Sequence, residues 1–311
     1  MELRYRVSGH ESFPLRYPWL PKAVKFLAAD PKFFANEERA MVDLGVGKNM
    51  VRSIRFWSLA TGIAAALPKN GGHAVTPLGQ SLLGPDGEDQ FLEDIRTLWL
   101  IHWQLSTNPD APLLAWDFLL NRWHEPDIVP SACLKALERE AGKQDDTFSP
   151  VTLEQHFDTL LHTYVPTRGQ KGEVREDNLD CPLVELEFIS RVGERELDRS
   201  SGKREIIYAF DREQKPDITA ELFAYCLYDF WEERHRAEAT LHLRDVAHGH
   251  GSPGRVFQLP EDDIRARMEA LERATEGLFA YTESAQLPLV KRNAEPDGAN
   301  LLKRVYSGGS L

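Results

Sequence analysis

The sequence predicts a mainly α-helical protein with small β-hairpins: an N-terminal winged helix-turn-helix, a helical middle, and a C-terminal winged-helix-like domain. Three observations carry that expectation. Residues 37–62, EERAMVDLGVGKNMVRSIRFWSLATG, read as two helices joined by a glycine turn. Directly after them, 64–67, a turn at Asn70-Gly71-Gly72 and 73–75 read as a hairpin. Towards the C-terminus the order helix, short helix, loop, helix and hairpin recurs.

In the first of these stretches a helix over 37–44 is broken by Gly45 and Gly47. A longer helix starts at Lys48 or Asn49 and runs to about Thr61, with Gly62 as its stop. At 100° per residue, Met50, Ile54 and Trp57 form an apolar stripe. Lys48, Arg52 and Arg55 form a cationic stripe opposite, flanked by Asn49 and Ser53. Such a helix can rest one face on a core and offer the other to a DNA major groove. From Leu44 to Pro85 there are four cations (Lys48, Arg52, Arg55, Lys69) and no Asp or Glu, where the chain average predicts about six or seven acids. That selective loss of acids in an acidic chain points to an anionic partner. Thr76-Pro77 caps a further helix over 78–83. The GVGK at 45–48 lacks the GxxxxGK[ST] spacing of a phosphate loop, and its glycines serve the turn between helices.

The net charge of −12 excludes non-specific coating of DNA, so any contact is a local patch. The cysteines, Cys133, Cys181 and Cys226, have no paired spacing and read as reduced thiols of a cytoplasmic protein. The opening MELRYRVSGHESF has no apolar run of the signal-peptide kind, and no stretch is apolar enough to span a membrane.

Residues 1–25 carry five cations against two acids. A short strand over Leu3, Tyr5 and Val7 leads into the turn Ser8-Gly9-His10-Glu11-Ser12. Within it His10 could shuttle protons, Glu11 could bind a metal or act as a base, and Arg16 could clamp a phosphate. The bland alternative is that His10 and Glu11 pin the strand to the neighbouring helices. Helices are expected over 21–29, 91–106, 112–123, 132–142 and 153–163. His156 and His162, six residues apart, cannot share a face, so one is packed and one exposed. The polar stretch 164–181 is the best domain boundary, and its Asp177 and Asp180 could supply Mg²⁺ ligands or simply be solvated. Strands follow at 184–190 and 205–210, helices at 217–236, 241–247 and 260–276, and a hairpin at 278–282 and 287–290. The last helix opens with Glu261, Asp262 and Asp263, which suits a protein partner better than DNA. His248 and His250 have no third ligand nearby, and 307–311 is expected to be a disordered tail. The expected domains are 1–90, 91–165 and 166–311.

The runs SGHESFPLRYPWLPK and LGVGKNMVRSIRFWSLATGI, with LDCPLVELEFI and PGRVFQL further on, resemble a bacterial family long labelled only as of unknown function and numbered four thousand and seven. Its members occur beside sulfur-transfer enzymes that place sulfur on the DNA backbone, and its best-described member nicks DNA in phage defence. The resemblance implies a protein that binds double-stranded DNA and cuts one strand, alongside sulfur-transfer proteins of a phosphorothioation system. The motif positions that match are His10, Glu11, Arg16, Lys48, Asn49, Arg52 and Arg55. Nicking would use Mg²⁺ or Mn²⁺, for which Glu11, Asp177 and Asp180 are the candidate ligands. The competing readings are a non-catalytic winged-helix DNA-binding adaptor or transcriptional regulator, and a protein-interaction scaffold. A homodimer is left open.

Overall fold

The computed structural model describes residues 4–68, 71–143, 148–166, 181–198, 203–283 and 287–307. The chain forms two compact units, Met1–Asp211 and Arg212–Leu311. The first unit thus takes in the predicted 1–90 and 91–165 segments together with the start of 166–311.

The first unit opens with α1 (Trp19–Ala29) and a single 3-10 turn, Phe33–Ala35, whose two phenylalanines are buried. Then come α2 (Glu37–Leu44) and α3 (Lys48–Ala60). Asn36 caps α2 by accepting from the Arg39 N–H, and Gly45 ends it at φ 69°, a left-handed conformation that suits a residue without Cβ. Next are β1 (Ala64–Ala66) and β2 (His73–Val75), antiparallel with Ala64 opposite Val75. Thr76 caps α4 (Pro77–Leu83) by accepting from the Gly79 N–H. These five elements sit where the residue pattern placed them, because caps, glycines and apolar spacing agree at each boundary.

The middle of this unit is helical: α5 (Ile95–Thr107), α6 (Leu114–Asp117), a π-helical turn at Phe118–Arg122, β3 (Asp127–Ile128), α7 (Pro130–Ala141) and α8 (Pro150–Tyr164). The single helix expected over 112–123 is therefore α6 plus a wider π turn. Trp57, Trp103, Trp116, Phe157 and Tyr164 fill the core. The Tyr164 hydroxyl takes the Trp116 indole N–H at 3.0 Å and meets His102 Nδ1 at 2.7 Å, so these three buried polar groups satisfy one another. A 3-10 turn over Pro182–Leu186 replaces the expected start of a strand at 184, and β4 (Ile189–Asp198) pairs with β5 (Lys203–Phe210). β5 lies between β3 and β4 in an antiparallel sheet.

The second unit contains α9 (Ala220–Arg234), β6 (Thr240–His242), α10 (Leu243–His248), α11 (Pro253–Val256), α12 (Glu261–Ala274), β7 (Phe279–Thr282), β8 (Leu289–Arg292) and α13 (Gly298–Ser307). β8 is the centre of an antiparallel sheet ordered β6-β8-β7. The 241–247 helix starts later than expected because Thr240 to His242 pair with β8. α13, which packs along α9, was not expected. Its apolar Leu301, Leu302 and Val305 are buried at helical spacing. The Arg267 guanidinium is held inside by Asp263 at 2.9 Å and the Lys215 carbonyl at 2.7 Å. So one of the three acids opening α12 serves its own core. No helix among the described residues is long and apolar enough to cross a membrane. Most of the tail expected to be disordered lies outside the described residues.

Candidate nucleic-acid interface

α3 is held by its inner face. Val51, Ile54 and Trp57 are buried, and the Trp57 indole donates to the Phe13 carbonyl at 3.0 Å. Met50 is only half-buried, so the seam is Val51-Ile54-Trp57 more than Met50-Ile54-Trp57. Ser53, expected on the DNA flank, is instead fully buried and donates its hydroxyl proton to the His10 carbonyl at 2.9 Å. This is a correction with a plain cause. The residue lies on the border of the two faces, and the turn at 8–16 covers that border.

The outer face carries Lys48 and Asn49, both exposed, and Arg52 and Arg55, both half-buried. It is not free of carboxylate. Glu37, from the first turn of α2, accepts from Arg52 Nε at 2.9 Å and lies 3.0 Å from Lys48 Nζ. Hydrogen bonds from Arg52 and then Lys48 hold the Glu37 carboxyl down to about 2. The expectation of an acid-free cationic stripe is corrected here: two of its three cations share one carboxylate. Arg55 has no carboxylate partner among the described residues. Lys69 lies outside the described residues.

Beside α3 the turn at 8–16 takes an uncommon path. Gly9 has φ 105°, and Glu11 and Ser12 have φ 50° and 60°, left-handed values that cost a residue with a Cβ about 1 kcal/mol each. His10 is what holds it. Its ring is buried, 5.4 Å from both Phe56 and His156 between centroids. Its Nδ1 accepts the Ser12 N–H at 3.0 Å, and its Nε2 lies 3.3 Å from His156 Nδ1. His156 Nε2 in turn accepts the Ala115 N–H at 3.2 Å. The histidine proposed as a proton shuttle therefore faces inward and pins the turn to α3 and α8. Burial holds both imidazoles below their ordinary value. His156 is the packed member and His162 the exposed one, as the spacing required.

Glu11 and Arg16 stay nearer the surface. Arg16 is half-buried, with its guanidinium 5.8 Å from the Phe13 ring centroid and 5.5 Å from that of Trp19. No carboxylate pairs with it among the described residues. Glu11 adds to the field that raises Arg52. Asp177 and Asp180 lie outside the described residues. Among the described residues no three His, Cys, Asp or Glu side chains gather as metal ligands would, and Glu11 has no companion carboxylate in such a group.

Two features of this surface escaped sequence reasoning. Glu37 lies 11 and 15 residues before the cations it binds, outside the acid-free window that begins at Leu44. The second is His73, on β2. Burial lowers its imidazole first, and the charges of Arg55 and then Arg6 lower it further. The surplus of cations in residues 1–25 was the signal for Arg6.

The chain shares its fold with two crystal structures of SspB, one of them magnesium ion-bound. The magnesium-bound structure is 24% identical with a TM-score of 0.83, over 98% of this chain and 91% of that one. The other is 24% identical with a TM-score of 0.83, over 96% and 87%. A search of curated proteins found no match. The family model described as "Protein of unknown function (DUF4007)" matches residues 7–306, and the chain belongs to that family, as the motifs around His10 and Lys48 implied.

Proposed function

We propose that this protein binds duplex DNA through the outer face of α3 and nicks one strand within a DNA phosphorothioation-based defence system. The observation that carries the DNA reading is the set Lys48, Asn49, Arg52 and Arg55 on one side of a helix whose other side is locked into the core. In this reading α2 and α3 are the helix-turn-helix, β1 and β2 the wing, and the first unit a winged helix. Arg55, with Arg6 and His73 nearby, supplies the uncompensated positive charge. The exposed Asn49 offers an amide for a base edge. The full-length likeness to SspB supports the placement, as does the family resemblance.

For strand cleavage the surface groups of the turn at 8–16 are the ones in reach of a backbone docked on α3. Arg16 holds a phosphate through its unpaired guanidinium. Glu11 sits beside Arg52, and its left-handed backbone is kept in place by the buried His10. His10 is a positioning residue here. A divalent ion, Mg²⁺ or Mn²⁺, is part of this reading, with Glu11 as its candidate ligand among the described residues. Supercoiled plasmid incubated with the protein and Mg²⁺ or Mn²⁺ should convert to the open circle, and Glu11→Gln should stop it. A plasmid that stays supercoiled at every protein concentration, while still being bound, leaves the second reading.

That second reading is a non-catalytic DNA-binding adaptor or regulator. The inward orientation of His10 favours it. The acid-rich start of α12 supports a protein-facing second unit, with sulfur-transfer proteins as the partners.

A further inference from the structure

A pocket of about 410 Å³ opens between the π-helical turn and α7, lined by Phe118, Arg122, Trp123, Arg139, Glu140 and Lys143 among others. Its floor is a fixed ionic network. Arg122 donates to the Tyr5 hydroxyl at 2.8 Å, and pairs with Asp117 at 2.9 Å and Glu140 at 3.0 Å. Tyr5 donates to Asp117 at 2.7 Å. This network resists rearrangement, because each partner satisfies another.

The walls differ in kind. Trp123 is half-buried, with its indole N–H tied to the Asp127 carbonyl at 3.1 Å and its ring 5.9 Å from that of Phe118. The tie fixes the plane of an aromatic face that still reaches solvent. Arg139 and Lys143, four residues apart, also line the pocket and are exposed, and Lys143 pairs with Glu140 at 2.5 Å. Arg139 contacts only the Lys135 carbonyl, at 3.3 Å, and has no carboxylate partner among the described residues. The five charged groups of the lining are Arg122, Arg139 and Lys143 against Glu125 and Glu140, a local surplus of one cation in a chain of net charge −12. The turn that shapes the pocket is a π-helical one, a local irregularity that tends to sit at functional sites.

An aromatic ring and two exposed cations in the lining of one pocket can recognise a base and its phosphate together. We propose that this pocket binds one nucleoside 5′-phosphate unit, with the base stacked on Trp123 and the phosphate on Arg139 and Lys143. The unit is either a free mononucleotide or the 5′-phosphorylated end of a single strand. The residues are separate from α3, and the proposal does not depend on that helix binding DNA.

The test is an equilibrium titration of the full-length protein, followed by tryptophan quenching and by anisotropy of a labelled oligonucleotide. The probes are dAMP, a 5′-phosphorylated oligodeoxynucleotide, and the same oligonucleotide with a 5′-hydroxyl. The proposal expects the phosphorylated strand to bind more tightly than the hydroxyl form. Arg139→Glu with Lys143→Glu, both exposed, should weaken it about tenfold or more in a variant that keeps the wild-type melting temperature. Trp123→Leu should lose about tenfold, the size of one base stack, while Trp123→Phe keeps most of the affinity. Binding of dAMP with the same variant pattern identifies the free nucleotide as the source, and binding of the strand alone identifies the strand end. No binding of either phosphate probe, or binding that the charge reversal leaves unchanged, overturns the proposal.

Discussion

The Glu37 carboxylate accepts from the Arg52 guanidinium at 2.9 Å, the group that the proposed DNA contact would give to a phosphate. Its other oxygen lies 3.0 Å from Lys48 Nζ. A phosphate docking here has to displace a carboxylate or share its cations with it. Glu37→Gln removes the competing charge and keeps the shape. It should raise affinity for duplex DNA about threefold to tenfold at low salt and steepen the salt dependence. Because the carboxyl is held down to about 2, the clasp stays closed at every pH above the ordinary carboxylate range. Acidification from pH 7 to 5 should therefore not mimic the substitution. Anisotropy titrations at several salt concentrations check both statements.

Ser53→Ala separates the two faces of the same helix. Its hydroxyl is buried and bonded to the His10 carbonyl, so the substitution should cost about 1 kcal/mol of stability and leave DNA affinity within about twofold. Urea melts and the same titrations report the two effects. A large loss of affinity without a loss of stability would place Ser53 on the DNA side after all.

The paired histidines set a pH dependence. Ser12 N–H and Ala115 N–H each require a lone pair, on His10 Nδ1 and His156 Nε2. A further proton would break a backbone hydrogen bond, and burial already disfavours the charge. Both folded values lie below the ordinary histidine value, so the unfolded chain binds more protons just below about pH 6.5. The stability these groups provide is complete above that value and falls as pH drops through it. The melting temperature should fall between pH 7 and 5, and His156→Gln should flatten that fall while lowering the starting value.

Trp57→Ala should cost about 3 to 5 kcal/mol, since the ring is fully buried and its indole N–H holds the Phe13 carbonyl. The loss measured in urea should come with loosening of the turn at 8–16, visible as faster proteolysis there.

The boundaries of α2, α3, the β1–β2 hairpin and α4 were legible because each is marked by a local signal: Asn36, Gly45, Gly62 and Thr76. The corrected positions lack such a signal. The π turn at Phe118–Arg122 has the same apolar spacing as an ordinary helix end. β6 is a strand only because β8 lies beside it. The basic stripe of α3 was read correctly as a stripe, but its charge balance was not, since Glu37 meets Lys48 and Arg52 through the packing of α2 on α3. Ser53 is misplaced for a related reason, whereas His10 follows the alternative expectation that it pins the strand to the neighbouring helices. A polar side chain next to a cationic face looks solvent-facing until the segment that covers it is known, and that segment is 43 residues earlier in the chain.

The most direct test of the α3 reading is the salt dependence of duplex DNA binding by the wild type and by the Arg52→Ala, Arg55→Ala double variant. The account predicts at least a tenfold loss of affinity and a log–log slope shallower by about 2, one unit per phosphate contact removed. Unchanged affinity and slope in a variant that still folds would contradict it.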